Sequence, residues 1–444
     1  MIVEEKQCKG LIIQNNPFST KTGNGKTIAS MFSKWNKENI AQIYVSNLEP
    51  DYDICEKYYQ ISDREVLTSF FSKTEIGSVK EKNDTVDKQD IGEQEAGQQS
   101  LMNNLMSGSS FVAVLRDYIW QKSNWNNEKF NDWLDMVKPD FVFLSAGNMA
   151  VFFEMAQYVV QKYNIPLFIH IGDDYYIYRS GKSPWKNLQR KRMSESLSQA
   201  VEISSGIIAI CDKMARVFQK RYGGEYLVCM NSVDMQKTYY PIEKKDSEQV
   251  LKLVYAGNLG INRWKVLCLV GEALQELEEE GLHAELCIYS SYMPTTPMLK
   301  KLNRPPVIKF CGSVFGEELY KIKEDADILV HVESFDKKYR QLTYTAMSTK
   351  ISEYLSSGRV ILGVGPKDAA SIEFLEENKV ALVVDTESKE LIKQQVRHYW
   401  ENFEQFKAMT ERAKKLAEAR FSKEENSIKI YKMINGRCQS VKNG

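Results

Sequence analysis

Short apolar runs alternate with longer stretches of helical periodicity along most of this chain of 444 residues. The runs are apolar throughout, without alternation, so they read as strands buried on both faces. That pattern belongs to parallel sheets covered by helices. In the first half the predicted strands are Gly10 to Gln14, Phe141 to Leu144 after the turn pair Pro139-Asp140, Leu167 to His170 after Pro166, and Gly206 to Ile210. A helix is expected from about Thr27. A polar stretch holding Pro241, Lys244, Lys245 and Asp246 then reads as a linker. Beyond it come Lys252 to Ala256, Ala284 to Tyr289, Val307 to Phe310, Ile328 to Val332, Val360 to Gly363 and Ala381 to Val384. Helical patterns such as Val266 to Glu279 and Lys350 to Ser357 fit the crossovers between them.

The expected fold class is α/β, with two Rossmann-like halves over residues 1–235 and 251–400 and a linker over 236–250. A charged amphipathic helix region occupies 401–444. Residues 78–110 break the pattern, being rich in Lys, Glu, Gln, Asp, Ser and Gly with few aliphatics before Leu101. They read as a mobile insertion inside the first half.

Composition narrows the function more than the fold. Lys plus Arg and Asp plus Glu both number 59, so the formal net charge is zero and no whole-protein field would gather nucleic acid. No apolar run approaches the roughly 20 residues of a membrane span. Glu4, Glu5 and Lys6 stand where a leader peptide would need an apolar stretch, so a cytoplasmic location is expected. The eight cysteines are scattered, with no C-x-x-C pair and no histidine at ligand spacing. They read as reduced core thiols, and neither a metal nor another cofactor is expected.

Candidate chemistry lies where apolar runs end, since ligands of open parallel sheets bind beyond the carboxyl ends of strands. After the first run, Ser19 to Thr27 carries Gly23 and Gly25, which would let backbone approach a phosphate at a helix start. It is not a phosphate-binding P-loop, because the first glycine of that motif falls on Thr20. The loop reads either as lining a diphosphate or acceptor cleft or as a plain glycine turn. The segment Ile169-His170-Ile171-Gly172-Asp173-Asp174 ends another run. His170 could bond a sugar hydroxyl and Asp173 and Asp174 could orient hydroxyls; the other reading is a core histidine and a helix-capping acid. The basic and aromatic residues from Tyr178 to Arg192 suit peripheral contact with an anionic lipid surface, an acidic acceptor or a solvated helix face.

In the second half, Tyr255-Ala256-Gly257-Asn258-Leu259-Gly260-Ile261-Asn262-Arg263 leaves a strand through glycines and offers Arg263, with Lys265 nearby, to an anion. Gly312-Ser313-Val314 follows another strand. Ser348-Thr349-Lys350 opens a helix on which Glu353 shares the face of Lys350.

Together these segments resemble a retaining GT-B glycosyltransferase of the large family 4-like group that includes bacterial surface-polysaccharide enzymes. The resemblance rests on S-T-K-x-x-E-Y-L-x-x-G-R-x-I from Ser348, on Y-A-G-N-L-G-x-N-R, on F-x-G-x-V, on Val332-Glu333-Ser334-Phe335 and on Gly363-Val364-Gly365-Pro366. H-x-x-D-D-Y, Pro139-Asp140 and Asn231-Ser232-Val233-Asp234 agree in order. It implies two Rossmann-like domains facing each other across a cleft, with the terminal helix crossing back to the first. It implies a nucleoside-diphosphate sugar donor, hexosyl transfer with retention, and a saccharide, lipid-linked or protein acceptor in cell-surface glycan synthesis. By position, Glu353 would bind the ribose, and Ser348, Thr349, Lys350 and Arg263 would neutralise the diphosphate. Asn258 would join the donor site, and Gly312, Ser313 and Val314 would frame the base. His170 and the Gly23 to Gly25 loop would face the sugar, with His170, Arg263 and Lys350 as the catalytic set. The chain departs from the pattern at Thr345, where many relatives carry a first glutamate; Glu333 is the candidate replacement. A catalytically silent subunit that stabilises a partner enzyme is the alternative of a different class.

Overall fold

The computed structural model describes residues 7–20, 23–72, 74–82, 110–177, 183–233, 235, 242–244 and 249–443. The chain forms two compact units. The first runs to Val228 and regains the chain from Ser427, and the second is Cys229–Asn426.

The first unit holds β1 (Gly10–Ile13), β2 (Ile40–Tyr44), β3 (Lys57–Gln60), β4 (Ser78–Lys80), β5 (Phe141–Ala146), β6 (Leu167–Ile171), β7 (Ser204–Ala209) and β8 (Tyr226–Val228). Their order in the sheet is β4-β3-β2-β1-β5-β6-β7-β8, and every pair is parallel except β3 with β4. The second unit holds β9 (Leu251–Ala256), β10 (Ala284–Tyr289), β11 (Ile308–Gly312), β12 (Ile328–Val332), β13 (Val360–Val364) and β14 (Leu382–Val384). They lie in the all-parallel order β11-β10-β9-β12-β13-β14. Both sheets are therefore doubly wound, and each unit is Rossmann-like.

The apolar runs mark the central strands because those strands are covered on both faces: β1, β5, β6, β12 and β13 are buried at every position. The pattern passes over β2, β3, β4 and β8. Gln42 interrupts β2, and it is tolerated at 0% exposure because its Oε1 accepts the Phe18 N–H at 2.8 Å and its Nε2 donates to the Asn16 carbonyl at 3.2 Å. β4 corrects the reading of 78–110 as insertion throughout, since residues 78–80 pair antiparallel with β3. Ser110 already belongs to the helix Ser110–Lys122, and residues 83–109 lie outside the described residues. The helix expected from Thr27 begins at Gly23.

Helix Arg263–Glu279 shows how the second core is filled. Val266, Leu267, Val270, Leu274 and Leu277 recur at helical spacing and are buried in the second core, where the helix packs on β10 and β12. The last helix, Lys423–Asn443, is tied to the start of the first unit. The Cys8 N–H donates to Asn435 Oδ1 at 3.1 Å, and Trp35 meets the Tyr431 ring at 4.8 Å. Among the described residues no helix is long and apolar enough to cross a membrane.

In both sheets the first strand of the series neighbours a much later one, β1 beside β5 and β9 beside β12. The chain winds outward in opposite directions from that point, and the diverging connections leave a crevice at the carboxyl ends of the strands.

Candidate functional site

The crevice of the second unit begins where β9 ends. Tyr255 is fully buried and its Oη donates to the Asn258 carbonyl at 2.6 Å, pinning the turn beneath. A Cβ on Gly257 would collide with the amine of Lys350, so only glycine lets that lysine approach the turn. The Gly260 N–H donates to Asn258 Oδ1 at 2.5 Å, and Ile261 and Asn262 then take φ of 50° and 62°. A left-handed β-branched residue is strained by about 1–3 kcal/mol, and such strain gathers at functional turns. Here it launches the helix Arg263–Glu279 with Arg263 as its first residue.

Arg263 meets Glu333, which follows β12, across the switch point. Nη2 lies 2.9 Å from Oε2 and 3.2 Å from Oε1, with Nε 3.1 Å from Oε2. Glu333 is 2% exposed. Burial pushes its carboxyl up, and the charges of Arg263 and Lys350 hold it down. Behind it, Ser371 Oγ is 3.5 Å from Glu333 Oε1 and 2.8 Å from His331 Nε2. Burial first, then the cations Lys350 and Arg263, keep His331 neutral.

Ala256, Gly257, Asn258 and Arg263 form one wall of a cavity of about 440 Å³. Ser348, Thr349, Lys350 and Glu353 form another, and Leu319 and Lys323 complete the lining. The volume is within the usual range for small-molecule and cofactor pockets. Lys350 Nζ sits 4.5 Å from the centre of the Tyr255 ring and 3.5 Å from its Oη. No carboxylate among the described residues lies within ion-pair distance of it. Burial, then repulsion from Arg263, draws the Lys350 amine down to about 8 against the pull of Glu333 and Glu353. Lys323 is 5% exposed and ion-paired with Glu353. Three cations thus meet at one small cavity with a single fully buried carboxylate behind them, an arrangement suited to a polyanion.

The structure brings together Asn258, Arg263, Ser348, Thr349, Lys350 and Glu353. Glu333 stands behind the cavity as the partner of Arg263 and is not part of the lining. Lys265 lies 3.1 Å from Asp336. Gly312 ends the edge strand β11, Ser313 and Val314 follow it, and none of the three is among the lining residues. Lys323, Leu319 and Tyr255 are site residues that the sequence reading missed. Nothing in helix Gly316–Glu324 marks Lys323 apart from the solvated Lys321, whereas Tyr255 lay within a quoted motif.

At the crevice of the first unit the buried groups are neutral. His170 on β6 is 4% exposed, with Nδ1 3.5 Å from Ser145 Oγ and its ring stacked on Phe143. Burial lowers its pKa to about 4, so the imidazole is uncharged near neutral pH. Register pairs His170 with Ser145, and Ile13 with Leu144, which puts Gln14 beside Ser145. Gln14 is 1% exposed, and neither of its side-chain polar atoms nor His170 Nε2 has a hydrogen-bond partner among the described residues. A buried row of Gln14, Ser145 and His170 with unused polar atoms is the kind of exception that a ligand or ordered water explains.

The nearby candidates are partly structural. Asp174 Oδ1 accepts the N–H groups of Tyr176 and Ile177 at 3.2 and 2.9 Å, closing its own turn. Asp173 is exposed beside the Tyr175 hydroxyl at 3.5 Å. Gly23 opens the helix Gly23–Met31, and a Cβ on Gly25 would strike the Pro17 carbonyl. Gly25 therefore allows the preceding loop to pack on the helix.

No family model matches the chain, and no curated protein matches it in sequence. Solved structures match along nearly its whole length. It is similar to Anabaena HepE, solved with UDP-glucose, at a TM-score of 0.57 and 11% identity over 97% of this chain and 100% of that one. Sucrose-phosphate synthase of Thermosynechococcus elongatus matches at a TM-score of 0.62 and 9% identity over 98% and 100%. An Escherichia coli trehalose-6-phosphate protein bound with UDP-2-fluoro glucose matches at 0.57 and 10% over 96% and 98%. The chain shares the GT-B fold of these proteins, with two Rossmann-like domains.

Proposed function

We propose that the chain is a glycosyltransferase that moves a hexosyl group from a nucleoside-diphosphate sugar to a saccharide, lipid-linked or protein acceptor, with retention at the anomeric carbon. The observation that carries the reading is the convergence of Arg263, Lys350 and Lys323 on one cavity at the switch point of the second sheet. The fold neighbours solved with UDP and UDP-glucose support it.

The chemistry follows from charge. When the bond from the anomeric carbon to the diphosphate oxygen breaks, negative charge grows on the leaving phosphate. Cations already fixed nearby stabilise that charge without reorganising. Arg263 is held in place by Glu333, and its remaining N–H groups are available to a phosphate oxygen. Lys350, drawn down to about 8 by burial and by Arg263, regains its full charge once a diphosphate lies beside it. Glu353 would take the ribose hydroxyls after exchanging Lys323 for them. These fixed cations supply what a divalent metal would otherwise supply, so transfer is proposed to need none. In the first unit, neutral His170 and Gln14 offer hydrogen bonds to hydroxyl groups of a sugar.

The test is calorimetric titration of the protein with nucleoside diphosphates and their sugar conjugates in EDTA, followed by donor hydrolysis. Binding of one diphosphate and its conjugates, lost in Arg263→Ala, is the expected result. Absence of binding across the panel would sink the donor site and favour a silent subunit serving a partner enzyme.

A further inference from the structure

We infer that the paired helices Ser110–Lys122 and Pro184–Ile203 of the first unit form a docking face for an anionic lipid bilayer. On the first helix Phe111, Leu115 and Tyr118 are spaced four and three residues apart and are 48%, 44% and 48% exposed. That spacing makes one continuous stripe on the helix surface. On the second, Trp185 and Leu188 are 44% and 42% exposed. The helices pack side by side, with the Phe111 and Trp185 rings 5.0 Å apart edge to face. Five large apolar side chains therefore gather on one solvent-facing surface, where a monomeric soluble protein usually scatters them.

Charge selects the occupant. Pro184 to Arg192 carries Lys186, Arg190, Lys191 and Arg192 and no acid, and Lys122 ends the neighbouring helix. Lys186, Lys191 and Lys122 are exposed. The facing acids are few. Asp117 is 3% exposed and feels Arg192 and Arg116, while Glu195 lies 3.8 Å from Lys191 and offsets that one cation. Exposed aromatics beside a surplus of cations, on helices that lie along a surface, are the features of interfacial binding to anionic lipid. An apolar protein partner would not need the cations, and an acidic soluble partner would not need the apolar stripe. The inference does not depend on the donor reading.

The test is co-sedimentation of the full chain with phosphatidylglycerol vesicles and with phosphatidylcholine vesicles. Binding to the first only, weakening as salt is raised, is the expected result. Phe111→Ser with Trp185→Ser, and separately Lys186→Glu with Lys191→Glu, are each expected to weaken it about tenfold or more. Unchanged circular dichroism and thermal unfolding would show that the variants fold. No binding to phosphatidylglycerol, equal binding to both lipids, or binding undiminished in both variants would overturn the inference. So would a concentration-dependent dimer, abolished by the apolar variant, in a protein that ignores vesicles.

Discussion

The two units put different chemistry at the same topological position. At the β9/β12 crevice the chain sets Arg263, Lys350 and Lys323 around a cavity of about 440 Å³, with Glu353 in its wall and Glu333 behind Arg263. At the β1/β5 crevice it sets Gln14, Ser145 and His170, all buried and uncharged. The crevice itself follows from winding order alone, so topology explains why each unit has a crevice and not what each crevice would take. Fixed cations suit a diphosphate, while neutral amide, hydroxyl and imidazole groups suit sugar hydroxyls.

The comparison breaks most readily at Arg263. Arg263→Ala is expected to slow transfer about a hundredfold or more, as loss of one fixed donor to developing charge does, and steady-state kinetics would register it. It also leaves Glu333 buried without its partner, so an unchanged rate would remove Arg263 from the mechanism. Glu333→Ala should lower stability by about 3 kcal/mol, because removing one partner of a buried pair strands the other, with a matching fall in thermal midpoint. A smaller loss, about tenfold in nucleotide affinity, is expected for Glu353→Ala from the hydrogen bonds removed. Calorimetry with adenosine or uridine as well as diphosphates would show whether the ribose is where the loss lies.

The pH behaviour sharpens the contrast between the units. Burial and Arg263 draw the Lys350 amine down to about 8, below its usual 10.5, so its charge works against the fold until pH rises through that range. A bound diphosphate favours the protonated amine. Affinity should therefore fall as pH rises above about 8, with proton uptake on binding, measurable by titration in buffers of different ionisation enthalpy. His170, at about 4 against an ordinary 6.5, contributes the opposite limb. Protonation favours the unfolded chain, so stability should decline as pH falls from about 6.5 to 4. The smallest effect expected is from His170→Gln, which keeps a neutral hydrogen-bonding group and should flatten that acid limb while leaving nucleotide affinity unchanged.

How much of this was legible in the sequence differs between the two crevices. Continuous apolar runs located the central strands of both sheets, because burial on both faces leaves no polar phase. Edge and near-edge strands such as Lys57–Gln60 and Ser78–Lys80 carry polar residues and gave no such signal. The glycines and cations around Asn258, Arg263 and Lys350 were visible because phosphate recognition needs residue types that are otherwise unwelcome at strand ends. Lys323 was not visible, since its burial against Glu353 arises only when two helices distant in sequence meet. Gln14 was seen only as the last residue of a strand. Its significance comes from the register that aligns it with Ser145 and His170, and register is a property of three strands at once.

The central claim is that the β9/β12 crevice holds a nucleoside diphosphate through Arg263 and Lys350. The most direct measurement is thermal unfolding of wild type and Arg263→Lys in EDTA against nucleoside diphosphates and their uncharged nucleosides. The account predicts that one diphosphate raises the wild-type midpoint, that its nucleoside does so far less, and that Arg263→Lys loses most of the difference because a point charge cannot replace the planar fork. Equal shifts from nucleoside and diphosphate, or a variant that responds like wild type, would contradict it.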